Sequence, residues 1–212
     1  MEALAGEMDA RAELQAGYEV ALRTPSDINE HLATLRSYAS QCAHVTECGV
    51  RSAVSSWAFA MGLRPGARLV QVDLQSHPNV EAFGALARRA GLDVAFHEAS
   101  DLECPLEPTE LLFIDTWHVY GQLRRELARW HGSVSKYIIM HDTTVDEWSG
   151  ESLRCGSDVQ AQSAASGFAL AEICCGLWPA IDEFLLAHGD EWALSARFVH
   201  NNGLTVLQRL PA

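Results

Sequence analysis

Short apolar segments alternate with helical patterns along most of the chain, and this alternation constrains the fold more than any other feature of the sequence. Helical patterns lie at residues 53–61, 80–90 and 120–131. The strand-like apolar segments that surround them lie at residues 44–48, 68–73, 92–97, 110–115 and 136–141. Apolar strands that alternate with helices are typical of a parallel sheet whose two faces are both covered. The sequence therefore predicts an α/β domain with a mostly parallel sheet and helices on both of its faces.

The chain begins with a separate helical segment. Residues 2–22 predict a helix of mixed polarity that ends before Pro25, and we interpret residues 1–26 as an N-terminal helical arm. The apolar side of this helix has no evident partner in the sequence, so we consider a homodimer in which the arm packs on a second subunit. A second helix at residues 27–41 starts the main domain, which we assign to residues 27–212.

The last part of the chain predicts a hairpin and a long connection. Residues 192–200 and 204–209 read as strands joined by Asn201-Asn202-Gly203, and Asn-Gly supplies the positive φ angles of a tight turn. The sheet is therefore expected to end in an antiparallel hairpin. Residues 143–176 lack a clear hydrophobic period and are rich in Ser, Ala and Gly. Because long connections inside a compact domain are usually functional, we interpret this segment as an irregular lid or acceptor-binding loop.

The charge of the chain indicates which classes of partner it can bind, and its cysteines indicate its cellular location. Among 212 residues, 15 Lys and Arg stand against 28 Asp and Glu, which gives a formal net charge of −13. Such a field repels phosphate backbones and anionic lipids, so we expect neither nucleic acid nor membrane as a partner. The N-terminus lacks a signal-peptide pattern, and no apolar run is long enough for a membrane span. The six cysteines lack metal-site and disulfide spacing, which favours a cytoplasmic protein with reduced thiols.

Polar residues follow every predicted parallel strand. Ligands of open α/β sheets bind beyond the carboxyl ends of the strands, so we expect these residues to converge on one cleft. In strand order they are Glu47, Gly49 and Ser55; Asp73; Ser100 and Asp101; Asp115, Trp117 and His118; and His141 and Asp142.

The first two strand ends suit a nucleoside ligand. Asp73 ends the second strand, where a carboxylate can accept hydrogen bonds from both vicinal hydroxyls of a ribose. Gly49 allows the backbone to approach a ligand closely. Two alternatives without a ligand stay open: Gly49 forms a simple turn, and Asp73 caps the following helix. The sequence has no GxGxxG motif, which makes a nicotinamide-dependent enzyme a poor candidate.

These motifs together resemble the class I S-adenosylmethionine-dependent methyltransferases. The resemblance rests on ExGxxxxxS after the first strand, an acid after the second, ASD after the third and FIDTWHVY at the fourth, followed by HD after the fifth. It covers residues 27–210 and is greatest to the metal-dependent O-methyltransferases of the catechol type and to the cephalosporin-hydroxylase-like branch. It implies a Rossmann-like methyltransferase sheet and S-adenosylmethionine as the cofactor.

The resemblance also implies a role for each residue. Contacts to the methionine and ribose parts of the cofactor would come from Glu47, Gly49, Ser55 and Asp73. Contacts to the adenine would come from Ser100, Asp101 and Trp117, and Asp115 would lie both beside the cofactor and on a metal. The metal ligands would be Asp115, His141 and Asp142.

Two positions depart from the family pattern. Ala53 replaces a usual glycine, so the first loop can adopt fewer backbone conformations at this position. His141 replaces a hard oxygen ligand, so the identity of the metal stays open between Mg²⁺, Mn²⁺ and other divalent ions, and metal binding itself stays open. His118 falls where catechol-type enzymes carry a catalytic lysine. It is the first candidate for the catalytic base, and His141 is the second.

The expected function is transfer of a methyl group from S-adenosylmethionine to a hydroxyl of a small molecule, assisted by a divalent metal. A divalent ion lowers the pKa of a hydroxyl and holds the acceptor, and a histidine can take the proton. Two alternatives stay open, namely a cephalosporin-hydroxylase-like enzyme of the same fold and a non-catalytic nucleoside-binding module.

Overall fold

The computed structural model describes residues 2–211, and it describes the side chains of residues 6–211. Its strands are β1 (His44–Cys48), β2 (Arg68–Asp73), β3 (Asp93–Glu98), β4 (Thr109–Ile114), β5 (Val134–His141), β6 (Trp192–Phe198) and β7 (Leu204–Arg209). Its α-helices are α1 (Glu2–Arg23), α2 (Leu32–Ala39), α3 (Val54–Gly62), α4 (Pro78–Arg89), α5 (Tyr120–Trp130), α6 (Glu151–Arg154), α7 (Val159–Ser166), α8 (Leu170–Cys174) and α9 (Trp178–Ala187). Short 3₁₀ helices span Asn29–His31 and His131–Ser133. Among these residues, no helix combines the length and the apolar character needed to cross a membrane.

The seven strands form one mixed sheet in the order β3-β2-β1-β4-β5-β7-β6. Strand β1 pairs in parallel with β2 and β4, and β2 pairs in parallel with β3. Strand β7 pairs antiparallel with β5 and β6. Asn201, Asn202 and Gly203 between β6 and β7 all have positive φ angles, as a tight turn requires. The predicted mostly parallel sheet with a terminal antiparallel hairpin is therefore confirmed.

The chain divides into two compact units, and the first ends at Ile114. Strands β1, β2 and β4 are largely buried in this unit, and the rings of Phe59 on α3 and Phe113 on β4 pack with centroids 5.3 Å apart. Helix α1 contacts α3 and α4. Its residues Ala10, Leu14 and Tyr18, spaced one turn apart, are all buried. The expectation that the apolar side of this helix lacks a partner was wrong, because the same unit covers it.

The second unit begins at Asp115 and is built on β5, β6 and β7. Helix α5 packs against α9, and the fully buried side chains of Trp130 on α5 and Trp192 on β6 belong to its core. The apolar centre of β5, Ile138 and Ile139, is also fully buried. Burying these side chains supplies the main driving force for this unit, because apolar area removed from water is stabilising.

Residues 143–176 of the second unit contain the helices α6, α7 and α8, so the prediction of an irregular loop was wrong. The helices escape pattern analysis because they are short and because α7 buries no side chain. The segment is tied to its surroundings at Gly150, whose N–H donates to the carbonyl of Cys174 at 3.0 Å. A Cβ at Gly150 would collide with the carbonyl oxygen of Ile173. The backbone there is closely packed, and only glycine fits.

Candidate cofactor and metal sites

The loop that follows β1 has an unusual backbone. Gly49 has a φ of 84°, and two residues with side chains, Arg51 and Ala53, have φ angles of 44° and 64°. The Asp73 carboxylate, at the end of β2, accepts hydrogen bonds from the N–H groups of Val50 (2.7 Å) and Arg51 (2.8 Å) through Oδ2. Asp73 therefore shapes this loop. Among the residues that the structure describes, the other oxygen, Oδ1, accepts a single longer bond, from the N–H of Gln75 at 3.3 Å.

Glu47 lies beneath the same loop and is fully buried. Its carboxylate accepts hydrogen bonds from the hydroxyls of Ser55 and Ser56 and from the amide of Gln71, the last two at 2.7 and 2.9 Å. Buried carboxylates are costly unless several donors satisfy them. The structure thus places Glu47 and Ser55 in a network that fixes the first turn of α3 to β1 and β2. Their predicted contacts with the cofactor stay a prediction.

Ala53 stands at the N-cap of α3 in a left-handed conformation, which residues with a Cβ adopt at a cost. We expect Ala53→Gly to raise the free energy of unfolding by about 1 kcal/mol, because glycine removes this cost. Chemical denaturation of the two proteins measures the change. The matched control is Ala58→Gly in the middle of α3, where the same substitution should destabilise by about 1 kcal/mol. A loss of stability in both variants would contradict the proposed strain.

Ser100 and Asp101 follow β3 in a tight turn. The Ser100 carbonyl accepts hydrogen bonds from the N–H groups of Glu103 and Cys104 at 2.9 and 2.8 Å, and its hydroxyl accepts from the N–H of Leu102 at 3.2 Å. Asp101 is 7 % exposed. The structure gives this turn a fixed shape, and the expected contact of both residues with adenine stays a prediction.

The residues that follow β4 and end β5 bring their side chains together in the second unit. His118 Nε2 lies 3.1 Å from Asp115 Oδ1, and His118 Nδ1 lies 3.0 Å from Asp142 Oδ2. His141 Nδ1 lies 3.4 Å from Asp115 Oδ1 and 3.6 Å from Asp142 Oδ2. Asp142 adopts a φ of 57°, a strained value that is common at functional sites. Four of the residues singled out in the sequence therefore form one cluster.

Two further carboxylates, which sequence reasoning missed, complete this cluster. Asp146 Oδ2 lies 3.5 Å from His118 Nδ1, and Glu151 Oε2 lies 2.8 Å from the same nitrogen. The Asp146 carboxylate is fully buried and is held by Arg154 through two bonds of 2.7 Å. We call the six residues Asp115, His118, His141, Asp142, Asp146 and Glu151 the histidine-carboxylate cluster.

The electrostatics of the cluster favour charged side chains. Burial alone would lower the pKa of His118, but the carboxylates that surround its ring outweigh burial and hold this pKa well above its usual range. Burial alone would raise the pKa of Asp115, yet its hydrogen bonds to His118 and His141 hold it well below its usual range. The pKa of His141 is raised because the attraction of Asp115 exceeds the effect of burial. The four carboxylates of the cluster outnumber its two imidazoles, and this excess of acidic groups attracts cations.

The donor set fits a divalent metal ion. One ligand atom from each of Asp115, His118 and Asp142 lies within 4.8 Å of the others, and the same holds for His118, Asp146 and Glu151. Asp142 has a side chain only 6 % exposed, and its Oδ1 has no hydrogen-bond donor. Buried carboxylate oxygens are normally paired or bound to a metal. The mixture of imidazole and carboxylate donors suits Mn²⁺, Fe²⁺ or Zn²⁺ as well as Mg²⁺.

Trp117 lies between the cluster residues Asp115 and His118 in sequence and points elsewhere. Its indole N–H donates to the Ser152 hydroxyl at 3.1 Å, and its ring stacks on Phe168 with centroids 5.7 Å apart and planes 15° apart. Arg125 lies over the same Phe168 ring, 4.0 Å from the centroid. Trp117 therefore holds residues of the 143–176 segment, and its expected packing on adenine stays a prediction.

Comparisons with solved structures place the fold. A protein of Corynebacterium glutamicum superposes with a TM-score of 0.61 at 17% identity, over 96% of this chain and 91% of that one. The O-methyltransferase TomG of Streptomyces achromogenes, solved with S-adenosylmethionine, gives 0.55 at 14% identity, over 95% and 90%. The N-methyltransferase NodS of Bradyrhizobium japonicum, solved with S-adenosylhomocysteine, gives 0.58 at 12% identity, over 96% and 99%.

The fold is that of the class I methyltransferases. No protein-family model matches the sequence, and no curated protein sequence matches it. The methyltransferase fold confirms the Rossmann-like architecture implied by the sequence motifs. Because O- and N-methyltransferases both have this fold, the fold alone does not determine which atom of a substrate accepts a methyl group.

Proposed function

We propose that the protein transfers a methyl group from S-adenosylmethionine to a hydroxyl of a small molecule, with the help of a divalent metal ion. The observation that carries the proposal is the histidine-carboxylate cluster, which begins directly after β4 within a methyltransferase fold. A fold alone does not decide chemistry. A base and a set of metal ligands in one cluster give this fold the groups that hydroxyl methylation needs.

The first unit supplies the features expected of a cofactor site. Gly49 adopts a backbone conformation that only glycine takes easily. Asp73 Oδ1 accepts only one long hydrogen bond, so that oxygen can accept bonds from ribose hydroxyls. The solved complexes of TomG and NodS with S-adenosylmethionine and S-adenosylhomocysteine support the same ligand here. In this proposal Glu47 and Ser55 keep the loop in place through their shared network.

The second unit supplies the chemistry of the acceptor. Asp115 and Asp142 would hold the metal together with His141, whose Nδ1 lies 3.4 and 3.6 Å from their carboxylate oxygens. When bound, the metal lowers the pKa of the acceptor hydroxyl. His118 would take the hydroxyl proton through Nε2, the nitrogen next to Asp115. His118 must first lose its own proton, and the carboxylates that raise its pKa oppose this loss until a cation neutralises part of their charge.

The reaction itself needs little more from the protein. The sulfonium of S-adenosylmethionine is an activated methyl donor, so the chain has to align the acceptor and remove one proton. The acceptor in this proposal is a hydroxylated natural product or sugar. A lid or acceptor-binding role for residues 143–176, a homodimer and a cytoplasmic location remain parts of the proposal.

A labelled-methyl assay tests this function. The protein is incubated with S-adenosylmethionine that carries a labelled methyl group, a divalent metal and a panel of small hydroxylated acceptors. We expect label in one or more acceptors, together with S-adenosylhomocysteine. Absence of transfer to every acceptor, with the cofactor bound, would favour the cephalosporin-hydroxylase-like alternative or a non-catalytic nucleoside-binding module.

A further inference from the structure

Three carboxylates surround one nitrogen of His118. Glu151 Oε2, Asp142 Oδ2 and Asp146 Oδ2 lie 2.8, 3.0 and 3.5 Å from Nδ1. This nitrogen is buried, and none of the three oxygens is placed so as to accept a hydrogen bond from it. Hydrogen bonds need the acceptor close to the N–H axis. The oxygens therefore flank the axis of the nitrogen lone pair instead of lying on it. Two of them, from Glu151 and Asp146, are placed as ligands of an ion seated on that axis would be.

The separations fit such an ion. A first-row divalent ion binds nitrogen and oxygen at about 2.0–2.2 Å, so its neighbouring ligand atoms lie about 2.8–3.6 Å apart in octahedral or tetrahedral geometry. Glu151 and Asp146 lie at 2.8 and 3.5 Å from Nδ1. The other ring nitrogen, Nε2, lies 3.1 Å from Asp115 Oδ1. Histidines that bind metals commonly donate their second N–H to a carboxylate in this manner.

Asp142 gives an independent indication that the cluster binds a cation. Its side chain is 6 % exposed and directs Oδ2 at Nδ1, while its Oδ1 lacks a hydrogen-bond donor. Around His118, four carboxylates face two imidazoles, those of His118 and His141, and the guanidinium of Arg154, which pairs with Asp146. Buried negative charge in such excess is costly unless a cation offsets it.

The backbone builds this arrangement in advance. The N–H of Glu151 donates to the carbonyl of His118 at 3.0 Å, so the two ligands are linked through main chain as well as through side chains. Glu151 follows Gly150, where the backbone is too closely packed for any larger residue. A site whose ligands are fixed before the ion arrives loses less conformational entropy on binding.

We propose that His118 Nδ1, Asp146 and Glu151 form a second divalent-cation site, separate from the proposed metal ligands Asp115, His141 and Asp142. One nitrogen and two carboxylates suit a first-row transition ion such as Mn²⁺, Fe²⁺ or Zn²⁺. Binding at this site is independent of the proposed methyl transfer. Its consequence rests on that function, since an ion on Nδ1 leaves Nε2 as an N–H facing Asp115, and the ring then has no lone pair to accept a proton. Occupation of the second site is therefore inhibitory.

Counting bound Mn²⁺ tests this site. Mn²⁺ is a suitable probe because it binds cysteine thiolates only weakly, so the cysteines of the chain should add no further sites. The electron paramagnetic resonance signal of free Mn²⁺ is followed during titration of the whole protein. We expect two ions per chain in the wild type. Glu151→Gln should bind one ion and weaken the second by at least about tenfold. Glu147→Gln, on the same segment but paired with Arg197 at 2.7 Å, should still bind two.

Each outcome decides between the two metal proposals. One ion in the wild type that persists in Glu151→Gln overturns the second site and leaves the proposed function intact. One ion that is lost in Glu151→Gln supports this site and removes the metal from the proposed function. No ion at all overturns both. If Glu151→Gln melts at a much lower temperature than the wild type, Glu151→Asp, which keeps the charge but shortens the reach, replaces it with the same expected result.

Discussion

Replacing His118 with glutamine is expected to lower the rate of methyl transfer by about 10²–10⁴-fold, the usual contribution of a positioned general base. Glutamine fills a similar volume and forms hydrogen bonds, but it cannot accept the proton of an acceptor hydroxyl. The affinity for S-adenosylmethionine should stay unchanged, because the expected cofactor contacts come from other residues. Single-turnover transfer of labelled methyl, with the cofactor saturating, measures the chemical step separately from binding.

His188→Gln is the matched control for this substitution. His188 lies at the end of α9, where its ring packs against His131 and Phe184, and it is no part of the histidine-carboxylate cluster. Its variant should transfer methyl groups at nearly the wild-type rate. If His118→Gln also kept its rate to within about threefold, His118 would not be the base, and His141 would become the candidate.

Removing the carboxylate of Glu47 has the largest expected effect on stability. In Glu47→Ala the hydroxyls of Ser55 and Ser56 lose a fully buried acceptor and a cavity remains, while the Gln71 amide keeps its bond to Ser56 Oγ at 2.8 Å. Each unsatisfied buried donor costs about 1–3 kcal/mol, so we expect the free energy of unfolding to fall by about 3 kcal/mol or more. Urea denaturation at equilibrium measures it, with the denaturant slope checked for constancy.

Glu19→Ala provides the comparison at the surface. Glu19 pairs with Arg23 on α1, and the two side chains are 44% and 76% exposed. Exposed ion pairs of this kind contribute about 0.5 kcal/mol, so this variant should unfold almost like the wild type. A loss below about 1 kcal/mol in Glu47→Ala would show that the network does not hold the loop, and the structural role given to Glu47 would fail.

The strands could be predicted from sequence because burial on both faces of a parallel sheet leaves a continuous apolar run. Strands β1, β2 and β7 have the predicted bounds, and the bounds of the other strands differ by one or two residues. The helices of the 143–176 segment could not be predicted, since α6 and α8 have four and five residues. Such short helices are stabilised by contacts with residues that are distant in sequence, so they show no regular spacing of apolar residues.

Part of the site could also be predicted from the sequence, because the apolar strands fix the positions of the residues at their ends. Asp115, His118, His141 and Asp142 sit next to the ends of apolar strands, where position alone indicates a shared edge of the sheet. Asp146 and Glu151 lie in a segment without a pattern, and only the fold shows that both reach His118. The one available signal was the acidic spacing in HDTTVDEWSGE, where acids recur within ten residues of Asp142. Acids of this spacing also occur on ordinary solvated loops, so the sequence could not distinguish them.

Binding of S-adenosylmethionine tests the central claim most directly. Thermal unfolding of the wild type is followed as the cofactor is added, with Asp73→Asn as the comparison, since an amide cannot accept all of the hydrogen bonds that the carboxylate accepts. We expect a stabilisation of about 2.7 kcal/mol at a hundredfold excess over the dissociation constant. Asp73→Asn should need at least about ten times more cofactor, the equivalent of one lost hydrogen bond. Unchanged unfolding of the wild type at millimolar cofactor would contradict the account.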